Sequence, residues 1–182
     1  MKPLMIDIIT AYAKDGASKG CLMAMLGNSD ACDITSFAKT NISDENLAPD
    51  GRETEPHVTV LYGFHPDFDI APLESSLSNQ CCLDYTLGAV SRFECPEYDV
   101  LKIEANGDSS QKLHYALRNQ FSESVAVTHP VYHPHVTLGY VKKGAHKELD
   151  GNTTFQGRNI KVDSLTYSYP NKESRKEIKL KS

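Results

Sequence analysis

The chain lacks tryptophan, a C-x-x-C pair and a G-x-x-x-x-G-K-[ST] phosphate loop, and no apolar run approaches the ~20 residues that span a bilayer. Each absence removes a class of protein. Without the glycine-lysine loop that way of cradling nucleotide phosphates is not signalled, and without a long apolar run no membrane-spanning helix is expected. Cys21, Cys32, Cys81, Cys82 and Cys95 are odd in number and include a vicinal pair, so neither a disulfide framework nor a zinc knuckle is signalled. Buried free thiols in a reducing compartment are the expectation. An excess of basic residues is missing too: the formal net charge is −5, whereas a protein that grips long duplex nucleic acid by its phosphates leaves a basic footprint. Small phosphorylated ligands need only a few local cations. Met1 to Lys14 holds Lys2 as its one early cation and is interrupted by Asp7, which argues against a secretory signal and for a cytoplasmic protein.

What is present is an ordinary globular composition. With 182 residues, 40% apolar and 24% charged, the chain suits one domain with a sizeable core. Its salient feature is a repeated pentapeptide, Pro56-His57-Val58-Thr59-Val60 and Pro134-His135-Val136-Thr137-Leu138. Both read as β-strands, with proline tolerated at the first position. Alternation puts His57 with Thr59, and His135 with Thr137, on one face, and the valines and Leu138 on the other. A single His-x-Thr carries little weight. Two copies that share the preceding proline, the central valine and a following aliphatic residue, 135 − 57 = 78 positions apart, imply two related halves that each donate a strand to a common site.

These paired motifs resemble the His-x-Thr pairs of the two-histidine (2H) phosphoesterase superfamily, which includes bacterial RNA 2′,3′-cyclic phosphodiesterases once called 2′-5′ RNA ligases. The flanks, Glu55 to Phe64 and Tyr132 to Val141, look most like bacteriophage members, some of which degrade cyclic-nucleotide signals of bacterial defence. The resemblance implies a metal-independent phosphodiesterase without a cofactor, catalysed by His57, Thr59, His135 and Thr137. It would act on a small cyclic nucleotide, a short oligonucleotide or a 2′,3′-cyclic phosphate end, in the host cytoplasm if phage-encoded.

Along the chain, Leu4, Ile8, Ile9 and Tyr12 have the spacing of a short helix over Pro3 to Ala13. Gly20 to Leu26 reads as the first strand, and Ser29-Asp30 opens a helix through Asn41. The polar stretch Ser43 to Thr54, broken by Pro49 and Gly51, reads as a loop in which Arg52 is a solvated arginine. After the first motif come a helix over Pro72 to Leu77, strands over Cys82 to Glu94 (bent at Gly88) and Asp99 to Ala105, and a helix capped by Ser109 or Ser110 with a Leu113, Leu117, Phe121 stripe. Asn159 to Tyr169 and Glu173 to Leu180 read as a closing hairpin around Pro170-Asn171-Lys172. This order does not alternate as βαβ units do. It fits an α+β fold: two lobes of antiparallel sheet related by a pseudo-twofold, with flanking helices and the site in the cleft between them.

The residue types suit in-line cleavage of a phosphodiester. One group must take a proton from the attacking oxygen and another must give one to the departing oxygen; histidine fills either role near neutral pH. The threonine hydroxyls, one pleat away, are placed to donate to the non-bridging phosphate oxygens. Residue identity leaves open which histidine is the base. Tyr132, just before the second motif, is a candidate to stack on a base. Parity puts Tyr62 and Tyr140 on the face opposite the histidines, in packing roles, and His65, His114, His129 and His146 read as structural or exposed. Two other classes compete: a zinc hydrolase built from His129, His133 and His135 with His57, which leaves both threonines unexplained, and a non-catalytic module that binds nucleotides or RNA ends.

Overall fold

Two copies of a strand can share a site only if the chain brings them side by side, and its antiparallel connections do this. A computed structural model describes residues 19–126, 131–171 and 173–181. In order these form β1 (Gly20–Met25), α1 (Asn28–Asn41), β2 (Leu47–Arg52), β3 (His57–Phe64), α2 (Ala71–Leu77), β4 (Leu83–Glu94), β5 (Tyr98–Asn106), α3 (Asp108–Gln120), β6 (His135–Lys142), β7 (Asn159–Val162), β8 (Ser164–Ser168) and β9 (Arg175–Lys179). The helix expected over Pro3 to Ala13 lies outside the described residues.

The architecture is α+β, as the element order implies. Its nine strands form one sheet in the order β7-β4-β5-β6-β3-β1-β8-β9, with β2 added alongside β6. Every ladder between these strands is antiparallel. The two lobes are the two halves of this sheet, and they meet where β3 pairs with β6 through a single residue pair, Val58 opposite Val136. Along that order four strands lie on each side of the seam, with β2 the ninth beside β6, so the two motif strands are the central neighbours of a two-lobed, pseudo-twofold sheet.

The sheet curls strongly. β7 occupies one edge and β8 lies beside the opposite edge, yet only Asp163 separates them in sequence. The hairpin read from sequence is thus split: the stretch from Asn159 crosses from one half to the other before pairing with β9. The tail reinforces the join, because Leu180 N donates to Asp163 O at 2.8 Å and Lys181 forms a bridge with Cys81.

Burial follows the alternation of the motif strands. Val58, Val60, Val136 and Leu138 are all within 1% of full burial. They belong to one apolar cluster that also takes in Ile34 and Ala38 of α1, Leu73 and Leu77 of α2, and Leu113 and Leu117 of α3. Spacings of four residues place each helical pair on one face of its helix. α1 packs on β6, and α3 on β3 and β4. Phe64, Phe68, Phe121 and Tyr167 fill the first half with mutual ring contacts at 4.7 to 6.4 Å.

Four local expectations are corrected. The stretch 43–54 contains β2, which the breakers Pro49 and Gly51 hid; they sit between its two ladder pairs, Leu47 with Val141 and Arg52 with Gly139, and Gly51 has φ +70°. Arg52 is not solvated: it is half-buried, donates to Ile42 O and pairs with Asp44 at 2.5 Å. Neither Ser109 nor Ser110 caps α3, since the cap is Gly107 and Ser110 is buried against Tyr85 and Tyr132. The thiols are free but only Cys95 is buried; Cys32 and Cys81 are exposed.

Candidate active site

The seam at Val58 and Val136 fixes the geometry of both motifs. Because those valines are paired and point into the core, the residues on either side of them point to the other face of the sheet. His57, Thr59, His135 and Thr137 therefore share one face, around one short stretch of ladder.

The local scaffolding is duplicated as closely as the sequence. Pro56 O accepts from Leu26 N beside β1, and Pro134 O accepts from Ala105 N of β5, both at 3.1 Å, so each proline joins its neighbour through the carbonyl it keeps. His57 Nδ1 lies 2.7 Å from Glu55 O, and His135 Nδ1 lies 2.7 Å from His133 O. A carbonyl only accepts, so Nδ1 carries the proton in both rings. Nε2 is then left as a base when bare and an acid when protonated.

Ahead of the first motif, Glu55 forms a two-pronged ion pair with Arg175 of β9 at 2.8 and 2.7 Å. The hydrogen bonds from Arg175 hold the Glu55 carboxyl below its usual range, with the charges of Arg175 and His57 acting the same way against a smaller burial effect. The pair fastens the segment whose carbonyl orients His57.

A second duplicated device lies three residues after each histidine. β1 pairs Met23 with Thr59 but Leu22 with Leu61, leaving Val60 as an extra residue in β3. β5 pairs Lys102 with Thr137 but Leu101 with Gly139, leaving Leu138 extra in β6. Each is a β-bulge, and a bulge reverses the facing of whatever follows it. Tyr62 and Tyr140 consequently join the histidine face, which overturns the parity reading. A bulge has no signature in an apolar run such as Val58-Thr59-Val60-Leu61; only the recurrence of tyrosine five places after each histidine hinted at it. Burial raises both phenols, Tyr140 to about 12, so each is a neutral hydrogen-bonding group.

Beside the seam lies a cavity of about 110 Å³ lined by Thr59 and His135 of the motifs and by Tyr62, Phe93, Tyr132 and His133, with His114 and Arg118 contributed by α3. Tyr132 stacks on His114 (4.1 Å between centroids, 4° between planes), and its hydroxyl donates to Thr59 O at 2.8 Å. It thus ties the approach to the second motif onto the first motif strand. His114 is buried with Nδ1 donating to the bulge carbonyl of Val60 at 2.7 Å, in keeping with a structural role. His146 has φ +56° and pairs with Glu148 at 3.1 Å.

The neighbours of the two histidines differ. His57 and Thr59 face Met25 and Met23 across the ladder, with Cys21 hydrogen-bonded to Thr59. His135 and Thr137 face Glu104 and Lys102. Lys102 is buried, donates to Glu104 and to Ser91 Oγ (2.7 Å), and lies 4.4 Å from the Phe93 ring centre. Phe93 in turn meets the His135 ring edge-to-face at 5.0 Å. His135 is pushed down to about 4, chiefly by burial; the His133 carbonyl and Glu104 act upward, Lys102 and His57 downward. The Lys102 network was missed in the sequence, where Asp99 to Ala105 reads as a strand with no role for Lys102 or Glu104.

Among the described residues no three His, Cys, Asp or Glu side chains are grouped to hold a metal ion, and His129 of the zinc reading lies outside them. Among those residues, too, no helix is long and apolar enough to cross a membrane.

Residues 33–159, which include both motifs, match the sequence family described as the 2′-5′ RNA ligase superfamily. The chain belongs to that superfamily, a group of two-histidine phosphoesterases, and is a phosphodiesterase by class. Its fold is similar to that of TT0787 of Thermus thermophilus, with a TM-score of 0.69 at 12% identity over 90% of this chain and 98% of that one. Escherichia coli LigT complexed with phosphate is similar at a TM-score of 0.64 and 15% identity, over 91% and 99% of the two chains. Kluyveromyces marxianus Usb1 is similar at 0.59 and 9%, over 90% and 99%. No curated protein matches the sequence.

Proposed function

We propose that this protein is a metal-independent phosphodiesterase that cleaves a cyclic nucleotide or short oligonucleotide, with His57 and His135 as its general acid–base pair. The observation that carries the reading is the matched anchoring of the two rings: each Nδ1 is held by the carbonyl two residues back, on one face of the sheet, astride one valine pair. One Nε2 removes the proton of the attacking oxygen as the new P–O bond forms. The other, protonated, gives its proton to the departing oxygen as the old P–O bond breaks. Thr59 and Thr137 donate hydrogen bonds to the non-bridging oxygens, where charge collects. No step requires a metal.

The aromatic cavity supports a nucleotide as the substrate. Tyr62, Phe93 and Tyr132 around a cavity floored by Thr59 and His135 suit a flat base joined to a phosphate at the histidines. Tyr132 serves there as a wall and as the tie to Thr59. The net charge of −5 favours a small substrate over long RNA. A phage enzyme that degrades cyclic-nucleotide defence signals in the host cytoplasm is the physiological reading. Processing of RNA 2′,3′-cyclic phosphate ends is the second, favoured by the likeness to LigT and Usb1, solved with 3′-AMP and uridine monophosphate respectively.

The test is incubation of the purified protein with 2′,3′-cyclic nucleotides and with 3′,5′- and 2′,5′-linked cyclic dinucleotides and trinucleotides, followed by mass spectrometry. Cleavage of the linked cyclic species, undiminished by exhaustive chelation, is expected. Cleavage of 2′,3′-cyclic phosphates alone selects the RNA-end reading. Zinc-specific recovery after chelation, or binding without product over hours, overturns the proposal.

A further inference from the structure

The two motifs are held alike by their backbones and surrounded differently by side chains: the ion pair near His57, Glu55 with Arg175, is partly exposed on both sides, whereas the pair near His135 contains a buried lysine. On the His57 side the facing residues of β1 are Met23, Met25 and Cys21. On the His135 side they are Lys102 and Glu104 of β5. We propose that Lys102 and Glu104 are positioning residues that break the symmetry of the histidine pair, so that His135 is the proton acceptor and His57 the proton donor. This rests on the phosphodiesterase reading for its catalytic meaning.

Four observations support it. Register places Glu104 directly opposite His135 and Lys102 directly opposite Thr137, so both charges share the histidine face. The Lys102 side chain is only 3% exposed, whereas that of Glu104 is 41% exposed, so the ammonium is fixed under the site while the carboxylate reaches solvent. A buried lysine held by a carboxylate and a hydroxyl cannot swing out to a phosphate without abandoning both partners. Phe93 meets both the ammonium, 4.4 Å from its ring centre, and the His135 ring, edge-to-face at 5.0 Å, so all three are packed together.

A fixed cation beside an imidazole disfavours its protonation, and a carboxylate favours it. Among the described residues the other charged or titratable groups near His135 are His57 across the seam, and His133, His114, Arg118 and the phenols of Tyr62 and Tyr132 around the cavity, the phenols kept neutral by burial. Glu104 tempers the lysine. Although burial works to raise its own titration, the hydrogen bonds from Lys102 and Ser91 and the lysine's charge hold it low, so the carboxylate stays ionised. Bare His135 Nε2 then accepts the nucleophile's proton, and His57 Nε2 surrenders one to the leaving oxygen. After release of products the two rings exchange their protons with water.

The direct test follows the His135 ring by NMR as pH is varied, in the intact protein and in variants at Lys102 and Glu104. Lys102→Met is expected to raise the His135 midpoint by about one pH unit, and Glu104→Gln to lower it, keeping the ring neutral to the most acid pH at which the protein is folded. A double variant, which leaves no unpaired charge, lies between them. Should Lys102→Met fail to fold, the double variant compared with Glu104→Gln isolates the lysine. The acid limb of kcat/KM is expected to move with the ring in each case. A purely structural role lowers kcat without moving the limb or the midpoint, and that result, or shifts of the same sign in both single variants, overturns the proposal. A wild-type protein that cleaves nothing defeats the functional reading alone, because the ring titration still reports on Lys102 and Glu104.

Discussion

The two halves of the molecule solve one backbone problem identically and one electrostatic problem differently. Each motif strand starts on a proline whose carbonyl joins the neighbouring strand, anchors its histidine by a 2.7 Å contact to the carbonyl two residues back, and bulges three residues after that histidine. Beyond that point the copies part. Cys21, Met23 and Met25 of β1 run along the first motif, whose Glu55–Arg175 ion pair is partly exposed, and a buried Lys102 paired with Glu104 lies along the second. The lesson is that the twofold fixes where the imidazoles are, and the neighbouring strands set how they differ. General acid–base chemistry needs both: two similar groups in register and a difference in proton affinity between them.

The largest effect tests what the halves share. His57→Ala and His135→Ala are each expected to lower turnover by roughly 10²-fold to 10⁴-fold, the usual worth of a general acid or base. Near wild-type rates in both variants would reject the shared site. A smaller effect sharpens the contrast between the bulged tyrosines. Tyr62 lines the cavity, so Tyr62→Ala is expected to raise KM about tenfold, as lost base stacking does. Tyr140 does not line it, so the matching change leaves KM within about twofold if the cavity alone holds the base. Equal KM effects would mean that the base lies across the seam instead.

The difference between the histidines also carries a stability signature. His135 titrates near 4 in the folded protein, against about 6.5 when unfolded. Between those values the unfolded chain binds a proton that the folded one refuses, so stability rises with pH across that window. The slope contributed by this one group is at most about 1.4 kcal/mol per pH unit. Urea titrations from pH 4 to 7 are expected to show this component in the wild type and to lose it in His135→Gln. The smallest effect concerns the tie between the halves. Tyr132→Phe removes the hydroxyl held by Thr59 O and Ser110, at a cost of about 1 kcal/mol measured as a shift in denaturation midpoint.

The motif strands were legible because a two-residue period, a duplicated His-x-Thr and flanking prolines all point to the same element. The helices around Ile34 and Leu113 were legible because each has one apolar face, and the first strand because it is a compact apolar run bounded by glycines. β2 was hidden because Pro49 and Gly51 are breakers in any local reading, and it exists only by lying along β6 at its two ends. Tyr62 and Tyr140 were assigned the wrong face because a bulge is created by the partner strand's register, which a one-dimensional pattern does not contain. Lys102 was overlooked because what distinguishes a buried lysine from a solvated one is Ser91, Phe93 and Glu104 gathered around it in space.

One residue, Asp163, carries the chain from the strand at one margin of the sheet to the strand beside the other margin. That short link works as a drawstring: the curvature that frames the histidine face cannot relax without lengthening it or releasing one of the strands it joins. The aperture of the cleft is therefore set in part from the far end of the polypeptide, by a segment that contributes no group to the chemistry.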